Sequence, residues 1–238
     1  MLSFAEGEVT KLRREFKLIL DTEALSELCA RLSGELGGYL PPPTRIVSVY
    51  FDKPGLPLAQ RAVRTPEDCL KVRTKEYSPD IGAGGVQRVV LEVKRERHGV
   101  TQKRRVWVPR AQLQNVIHRS AGLLPLIAGG RLIPVLGVTY RRHVYQATQA
   151  WRVTVDRDIG FHHVTPQLAL SGETLTAERL GPPLFMDRRV VVEVKHLGEE
   201  LPAWLAALHP GSRRPAYSKF AEGMARVHAF AVDGVLGG

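Results

Sequence analysis

Eight segments of this chain show the alternating pattern of a β-strand, most of them with charged residues between apolar ones, and this alternation limits the fold more than any other feature of the sequence. Successive side chains of a β-strand point to opposite faces, so each segment predicts a strand with one charged and one apolar face. The predicted strands are Leu12–Leu20, Arg45–Phe51, Leu70–Tyr77, Gln87–Arg97, Thr101–Val108, Val135–Tyr145, Trp151–Phe161 and Arg188–His196. We therefore expect a fold made mainly of antiparallel sheet.

The charged faces carry mostly Arg and Lys, with one Glu or Asp on many strands. Lys71, Arg73 and Lys75 share one face, for example, and so do Glu92 and Lys94. A sheet with one solvated face also alternates in this way, and for a single strand that is the better interpretation. Eight such strands would together repel one another unless an anion or a metal compensated them. The pattern therefore predicts a barrel whose charged interior binds a multiply charged anion.

Four other stretches place apolar residues at helical spacing. They start after Asp21, which predicts an N-cap, at Pro109, near Trp204 and at Ser218. Their apolar faces can cover the outside of the barrel. The predicted class is α+β, an antiparallel eight-stranded β-barrel with a charged interior and helices packed outside. No Pro- or Gly-rich stretch is long enough to be a linker, so residues 1–238 are predicted to form one domain.

The 238 residues include 34 Lys and Arg against 24 Asp and Glu, a net charge of +10. A field of this sign favours polyanions, that is, nucleic acid, an anionic membrane face or a phosphate-rich small molecule. Apolar residues make up 44%, which excludes a chain disordered throughout. The chain contains no run of about 18 apolar residues that would span a membrane, and its first residues lack a signal-peptide pattern. We therefore expect a soluble, cytoplasmic protein.

Nine short motifs follow one another along nearly the whole chain. They are Arg13-x-Glu15-x-Lys17, Ser48-Val-Tyr50-Phe51-Asp52, Lys71-x-Arg73-x-Lys75 followed by Tyr77, Glu92-x-Lys94, Lys103-x-Arg105, Tyr140-x-Arg142, Arg152-x-Thr154-x-Asp156, Glu193-x-Lys195 and Ser218-Lys219-Phe220. Each motif is weak alone, but their order, spacing and placement on predicted strands make the joint signal strong. In this set the chain resembles the VTC domain, a polyphosphate polymerase domain that is a branch of the CYTH-like triphosphate tunnel enzymes.

The resemblance implies a tunnel that transfers the γ-phosphate of ATP or another nucleoside triphosphate to polyphosphate, and that also accepts tripolyphosphate. It implies Mn²⁺ or Mg²⁺ as cofactor, held by Glu193, with Glu15 and Glu92 as weaker candidates. For Glu92, neutralisation of nearby Lys and Arg is an equal interpretation. The residues implied to contact the reacting phosphates are Lys17, Arg73, Lys75, Lys94, Arg142, Arg152 and Lys195. Further phosphate contacts are implied for Lys71, Lys103, Arg105, Tyr140 and Lys219.

These residue types suit phosphoryl transfer, which needs the donor and acceptor in line and electrostatic stabilisation of the equatorial oxygens. Arg and Lys on rigid strands provide that stabilisation without reorganisation. A divalent ion that bridges phosphate oxygens keeps most of its waters, so one or two carboxylates are enough. Tyr50 and Asp52 are expected to orient their neighbours, and Asp156 could equally hold Arg152 in place.

Two residues depart from the family pattern. The wider superfamily opens with Glu where this chain has Arg13, which weakens a metal-binding role for the first strand. Lys75 stands where members of the branch commonly have Arg, and Lys keeps the charge but loses the bidentate fork. The membrane-spanning parts of the eukaryotic assemblies have no counterpart here, so coupling to translocation would need a membrane-protein partner.

Three other functions remain open at this point. A tripolyphosphatase could use the same fold, with water replacing the phosphate acceptor. A non-catalytic polyphosphate-binding module would keep the basic ring but would not need Glu193. A nucleic-acid binder fits the net charge, but the sequence shows no recognition helix, RNP-like motif or aromatic stacking platform on a strand face. We therefore expect no specific nucleic-acid partner.

Overall fold

The structure is a computed structural model that describes residues 14–36, 38, 42–78, 88–97, 100–119, 131–146, 150–197, 201–208 and 217–228. Leu12, Arg13 and Gln87, which belong to predicted strands, lie outside the described residues. No helix within the described ranges is long and apolar enough to cross a membrane.

Strands dominate the described part of the chain. They are β1 (Arg14–Leu20), β2 (Thr44–Asp52), β3 (Asp68–Ser78), β4 (Arg88–Arg97), β5 (Val100–Pro109), β6 (Ile133–Tyr145), β7 (Trp151–His162), β8 (Phe185–Asp187) and β9 (Val190–His196). The helices are α1 (Thr22–Glu35), α2 (Pro57–Arg64), α3 (Leu113–His118), α4 (Pro166–Ala169), α5 (Ala177–Leu180), α6 (Ala203–Ala206) and α7 (Lys219–Val227). The strand order in the sheet is β1-β9-β7-β6-β2-β3-β4-β5, and β8 pairs with β7.

The predicted α+β class, with an antiparallel sheet of eight main strands and accompanying helices, is confirmed. All four predicted helices are present, although the one expected at Pro109 starts with a 3-10 turn. The carboxylate of Asp21 accepts a hydrogen bond from the backbone N–H of Ala24 at 2.9 Å, as expected of an N-cap. Ser218 caps α7 in the same way through Ala221.

The chain forms two compact units, each assembled from several stretches of sequence. Unit 1 comprises Met1–Arg45, Tyr140–Ile159 and Met186–Tyr217. Unit 2 comprises Ile46–Thr139, Gly160–Phe185 and Ser218–Gly238. The expectation of a single domain over residues 1–238 stays a prediction.

The core of unit 1 lies between α1 and the apolar faces of its strands. Leu28 and Leu32 of α1 pack in one cluster with Leu18 of β1, Val192 of β9 and Val153 of β7. Each of these side chains is less than a tenth exposed. Because side chains alternate, burial of this face directs the charged residues of the same strands to the opposite face.

The core of unit 2 follows the same rule. Leu113 and Ile117 of α3 pack in one cluster with Val72 of β3, Val93 of β4 and Val108 of β5. The sequence therefore predicts correctly that amphipathic helices cover apolar strand faces. In both units, this packing gives the charged faces rigid support.

Helix α2 is not predicted by the sequence pattern, and its start depends on a buried carboxylate. Asp52, at the end of β2, has no exposed surface and accepts hydrogen bonds from the backbone N–H groups of Leu58 at 3.0 Å and Ala59 at 2.7 Å. Burial raises the pKa of Asp52, although these hydrogen bonds oppose the shift. Asp52 thus orients the beginning of a helix, in line with the orienting role expected for it.

The last predicted strand, Arg188–His196, is longer than the observed one, because β9 begins at Val190. Arg189 precedes β9 and donates hydrogen bonds to Asp187, with Nε 2.9 Å from Oδ1 and Nη2 2.8 Å from Oδ2. The hydroxyl of Tyr217 donates to the same carboxylate at 2.9 Å. These contacts hold a turn, so the alternation along β9 does not extend to Arg189.

Candidate functional site

In unit 2, the charged faces of β3, β4 and β5 gather four predicted cations around one carboxylate. We call Arg73, Lys75, Glu92, Lys103 and Arg105 the Glu92 cluster. Oε1 of Glu92 accepts a hydrogen bond from Arg73 Nε at 2.8 Å and lies 3.8 Å from Lys75 Nζ. Its Oε2 lies 3.0 Å from Lys103 Nζ and 2.8 Å from Arg105 Nε. The register explains the arrangement, because Glu92 stands directly opposite Arg73 in β3 and Arg105 in β5.

The Glu92 cluster carries an excess of positive charge. Burial alone would raise the pKa of Glu92, which has no exposed surface, but the charges of Arg73, Lys75 and Lys103 hold that pKa well below its usual range. Glu92 is therefore an ionised counter-ion, and four cations share it. Burial lowers the pKa of Lys103 to about 8. The positive charges of Arg105 and Arg73 also lower this pKa, whereas the negative charge of Glu92 raises it. A multiply charged anion could neutralise the remaining positive charge.

Two aromatic rings support Arg73 of this cluster. Arg73 Nη1 donates a hydrogen bond to the Tyr50 hydroxyl at 2.9 Å, and its guanidinium carbon lies 5.7 Å from the centre of the Tyr50 ring. Tyr50 in turn stacks on Phe220 of α7, with ring centres 4.8 Å apart. Lys219, another predicted phosphate contact, is the first residue of the same helix. The motif Ser218-Lys219-Phe220 therefore supports Arg73 through Tyr50.

Two residues along the strands from Glu92, three lysines stand side by side on the same face. Lys94 stands opposite Lys71 in β3 and Lys103 in β5, so the three side chains share a face. Lys94 forms an ion pair with Glu96. Burial lowers the pKa of Lys71, and the charge of Lys94 adds to that effect while Cys69 and Glu96 oppose it. The basic face thus continues beyond the Glu92 cluster.

In unit 1, the charged faces of β1 and β9 form a second group. We call Glu15, Lys17, Glu193 and Lys195 the Glu193 cluster. Lys195 Nζ lies 2.6 Å from Glu193 Oε1 and 3.1 Å from Glu15 Oε2, and Lys17 Nζ lies 3.7 Å from Glu15 Oε1. Lys17 stands opposite Glu193, and Glu15 stands opposite Lys195. Two cations therefore balance two carboxylates in this cluster.

The charges of the Glu193 cluster stabilise one another. Burial alone would raise the pKa of Glu193, but Lys195 and Lys17 outweigh it and hold that pKa well below its usual range. Burial alone would lower the pKa of Lys195, but Glu193 and Glu15 raise it above its ordinary value. Glu193 and Lys195 are therefore both ionised at neutral pH.

Arg142 and Arg152 lie on the neighbouring strands of unit 1. Arg142 binds Asp156 side-on, with Nε 2.6 Å from Oδ1 and Nη2 2.6 Å from Oδ2. Its guanidinium carbon lies 5.3 Å from the centre of the Tyr140 ring. Burial alone would lower the pKa of Arg142, but Tyr140 and Asp156 raise it. Arg152 stands opposite Lys195 across β7 and β9, whereas the bidentate partner of Asp156 is Arg142.

The three candidate metal ligands have different surroundings. Both oxygens of Glu92 contact cations, and these contacts favour its interpretation as a counter-ion. Glu15 and Glu193 contact the same ammonium group, that of Lys195. Among the residues that the structure describes, no three His, Cys, Asp or Glu side chains form a group that could hold a metal ion. Glu193 and Glu15 therefore fit a divalent ion that phosphate oxygens also bind, and do not fit an all-protein metal cage.

Two exposed aromatic side chains lie on the charged face of unit 2, a feature that the sequence analysis does not single out. Tyr77 and Trp107 have ring centres 6.4 Å apart and are 41% and 55% exposed. The alternation that groups Lys103 with Arg105 also places Trp107 on their face. Tyr77 and Trp107 both continue the every-second-residue pattern of the charged positions on their strands, and this pattern could have identified them from the sequence.

Comparisons with known proteins bear on the fold of this chain. A crystal structure from Bacillus halodurans, whose assignment as an adenylate cyclase is provisional, matches with a TM-score of 0.53 at 12% identity over 87% of this chain and 95% of that chain. A provisionally assigned adenylyl cyclase from Hippeastrum, for which a dominant triphosphatase activity is described, has a TM-score of 0.48 at 16% identity over 89% of this chain and 95% of that chain. The likeness to the first shows the fold and not the activity.

The fold is that of the triphosphate tunnel proteins, as predicted. The family model of the VTC domain matches residues 12–228, and the chain belongs to the VTC domain family. No curated protein sequence gives a significant match. Family membership supports a role on polyphosphate or triphosphate compounds.

Proposed function

We propose that this chain is a polyphosphate polymerase domain that transfers the γ-phosphate of ATP or another nucleoside triphosphate to polyphosphate. The observation that carries the proposal is the Glu92 cluster, in which four cations on rigid strands share one buried carboxylate. Its excess positive charge suits a polyanion, and the chain belongs to the VTC domain family. The lysines of the next row, Lys71 and Lys94, extend the same face for a longer phosphate chain.

In the proposed reaction, a terminal oxygen of polyphosphate attacks the γ-phosphorus of the nucleotide. The bond between that phosphorus and the oxygen bridging it to the β-phosphate breaks, and a nucleoside diphosphate leaves. Charge develops on the transferring phosphoryl group and on the leaving oxygen. Arg73 is held by Glu92 and Tyr50 before any ligand enters, so its guanidinium needs little reorganisation to stabilise that charge.

The cations of unit 1 would bind phosphate oxygens in two different ways. Arg142 uses Nε and one N–H of Nη2 for Asp156, so its other donors, on Nη1 and Nη2, could bind a phosphate. Lys17, Lys195 and Arg152 would contribute positive charge from the strands beside it. Mn²⁺ or Mg²⁺ is proposed at Glu193, with Glu15 as a second ligand. When bound, such an ion neutralises phosphate charge.

The test is incubation of the purified chain with ATP and Mn²⁺, followed by separate assays for polyphosphate and free phosphate. Formation of polyphosphate would support the proposal. Free phosphate without polyphosphate would replace it by the tripolyphosphatase-type activity. The matched variants are Arg105→Ala and Arg104→Ala, because these neighbours lie on opposite faces of β5 and both are exposed. We expect only Arg105→Ala to slow the reaction, and equal activity in both variants would exclude the Glu92 cluster as the site.

Location and partners belong to the same proposal. The described residues include no helix that could cross a membrane. A membrane-protein partner is proposed for any delivery of polyphosphate across a membrane, and a cytoplasmic location would give the domain access to ATP.

Tripolyphosphate affinity is expected to fall as the pH rises through about 8, because burial, aided by Arg105 and Arg73, lowers the pKa of Lys103 to about that value. As the pH rises past about 8, the lysine of the empty protein progressively loses its proton. A bound anion favours its charged form, so binding between pH 8 and the ordinary value of 10.5 should take up a proton. Calorimetric titrations at about pH 8.5 in two buffers of different ionisation enthalpy measure that uptake.

Lys103→Gln is the control for this pH dependence, since the ligand's own titration is the same in both proteins. We expect the proton uptake at pH about 8.5 to be smaller in the variant than in the wild type. Equal uptake in the two proteins would mean that Lys103 does not touch the anion.

A further inference from the structure

The feature that the proposed reaction leaves unexplained is the exposed aromatic pair on the charged face of unit 2. Tyr77 is 41% exposed and Trp107 is 55% exposed, and their rings are tilted by 43° with centres 6.4 Å apart. Large aromatic side chains normally lose water-exposed surface when a protein folds. An exposed pair beside charged residues is therefore a candidate surface for a ligand with an aromatic part.

Strand register places this pair next to the Glu92 cluster. Trp107 stands opposite Val90, and Val90 stands opposite Lys75. Arg105 lies two residues before Trp107, and Lys75 lies two residues before Tyr77, so all four side chains share one face. The aromatic pair is thus about 7 Å, one step of two residues, from the cations that hold Glu92.

We propose that Tyr77 and Trp107 form a stacking platform for the nucleobase of a nucleoside triphosphate whose phosphates bind at the Glu92 cluster. This inference rests on the proposed function, because it concerns the base of the nucleotide donor, which the phosphate-binding residues do not touch. A base stacks through its π face, which every base presents, so the platform accepts different bases. Purines offer more stacking area than pyrimidines, and we expect ATP and GTP to bind more tightly than CTP and UTP.

The positive charge beside Tyr77 and Trp107 favours a nucleotide over an apolar protein segment as the ligand of this surface. Arg105 and Lys103 lie in the adjacent rows of β5, and the Glu92 cluster holds four cations to one carboxylate. A purely apolar partner would have to bury these cations without compensation, which is costly. A nucleoside triphosphate supplies an aromatic ring and negative charge at the spacing that this face presents.

The experiment compares two triphosphate ligands, one that carries a base and a sugar and one that carries neither. The β,γ-imido analogue of ATP and imidotriphosphate are titrated with Mg²⁺ into the wild-type chain and into Trp107→Ala. We expect the variant to lose about tenfold in affinity for the nucleotide analogue, the usual scale for one stacked base, and to keep its affinity for imidotriphosphate. Trp107→Phe keeps an aromatic face and should restore most of the loss. Gln102→Ala, on the opposite face of β5, is the matched control and should change neither affinity.

Tryptophan fluorescence gives a second readout. The chain has three Trp residues, and Trp107 is the most exposed of them, while Trp151 is only 5% exposed. The nucleotide analogue should quench the wild-type emission, imidotriphosphate should not, and Trp107→Phe should remove the difference. An unchanged ratio of the two affinities in Trp107→Ala would overturn the platform while imidotriphosphate binding still stands. If neither ligand binds the wild type, the proposed function itself is wrong.

Discussion

Replacement of Glu92 by Gln is expected to lower the free energy of unfolding by about 3–5 kcal/mol, the usual result of removing one partner from a buried charge pair. Gln keeps the size of the side chain but removes the charge that four cations share. Arg73, Lys75 and Lys103 would then repel one another, and Lys75 is only 3% exposed, so water cannot screen it. Urea unfolding at neutral pH measures the loss.

The same carboxylate predicts a pH dependence. Because the folded-state pKa of Glu92 is held below the ordinary 4.5, its contribution to stability is present above pH 4.5 and is lost as the pH falls from there toward the folded-state pKa. The wild type should therefore lose stability in acid more steeply than Glu92→Gln does. Tripolyphosphate should raise the melting temperature of the variant more than that of the wild type, because the ligand supplies the missing negative charge.

Glu96→Gln is the matched control for this prediction. Glu96 lies on the same face of β4 and pairs with Lys94, but its side chain is 19% exposed. We expect a change of at most about 1 kcal/mol in its free energy of unfolding. If Glu92→Gln unfolded at the same urea concentration as the wild type, the four contacts to Glu92 would not hold this face together.

Replacement of Glu193 by Gln is expected to reduce turnover about 100-fold or more, the scale on which loss of one electrostatic stabiliser acts in a phosphoryl-transfer site. The fold should survive, because the side chain keeps its size and is 20% exposed. If Glu193 holds the metal as proposed, it also sets the Mn²⁺ requirement, so the concentration of Mn²⁺ at half-maximal rate should rise in the variant. Initial rates measured over a series of Mn²⁺ concentrations give both quantities.

The Mn²⁺ series separates two roles for Glu193, since the carboxylate also contacts Lys195 Nζ at 2.6 Å. A lower rate with an unchanged Mn²⁺ requirement would mean that Glu193 positions Lys195 and does not bind the metal. Wild-type activity in Glu193→Gln would remove this residue from the site. Glu27→Gln, with a side chain 70% exposed on α1, is the control and should leave both quantities unchanged.

Alternation along single strands predicts a large part of the candidate site. The parity of Lys71, Arg73 and Lys75 places them on one face of β3, and the structure agrees because Val72 is fully buried in the core of unit 2. Helical spacing after Asp21 predicts α1 for a similar reason: the capping residue and the apolar stripe are both local. Features of this kind depend on neighbours within a few residues, which a sequence displays directly.

Pairing between strands is not predictable in this way. The bidentate partner of Asp156 is Arg142 of β6, a pairing that no pattern along β7 indicates. Which cation meets which carboxylate depends on the register of two strands, and a shift of one residue would turn every side chain to the other face. The gathering of four cations on Glu92 likewise depends on the registers of β3, β4 and β5 together.

The buried ion pair between Glu76 and Arg110, away from the charged face, is not predictable from the sequence for a related reason. Glu76 follows the apolar parity of β3 and is buried, where it lies 3.4 Å from Arg110 Nη1 and accepts a hydrogen bond from the Leu175 backbone at 2.9 Å. Arg110 also donates to the Glu173 carbonyl at 2.7 Å. Arg110 lies 34 residues after Glu76, Glu173 lies 63 residues after Arg110, and Leu175 lies 99 residues after Glu76, so no local pattern joins them.

The central claim, that the charged faces bind a multiply charged phosphate, is tested most directly by calorimetric titration of tripolyphosphate at near-physiological salt. Two pairs of neighbouring arginines provide matched variants. Arg105 contacts Glu92, whereas Arg104 is exposed on the opposite face of β5. Arg142 binds Asp156, whereas Arg141 is 45% exposed and lies 3.9 Å from Asp158.

The account predicts that Arg105→Ala and Arg142→Ala each weaken tripolyphosphate binding about tenfold or more, the scale of a lost hydrogen bond to a charged group. Arg104→Ala and Arg141→Ala should change it by no more than about twofold, since salt screens exposed charges on other faces. An equal loss of affinity in all four variants would contradict the account, because it would make binding a property of the net charge of +10 and not of the charged faces.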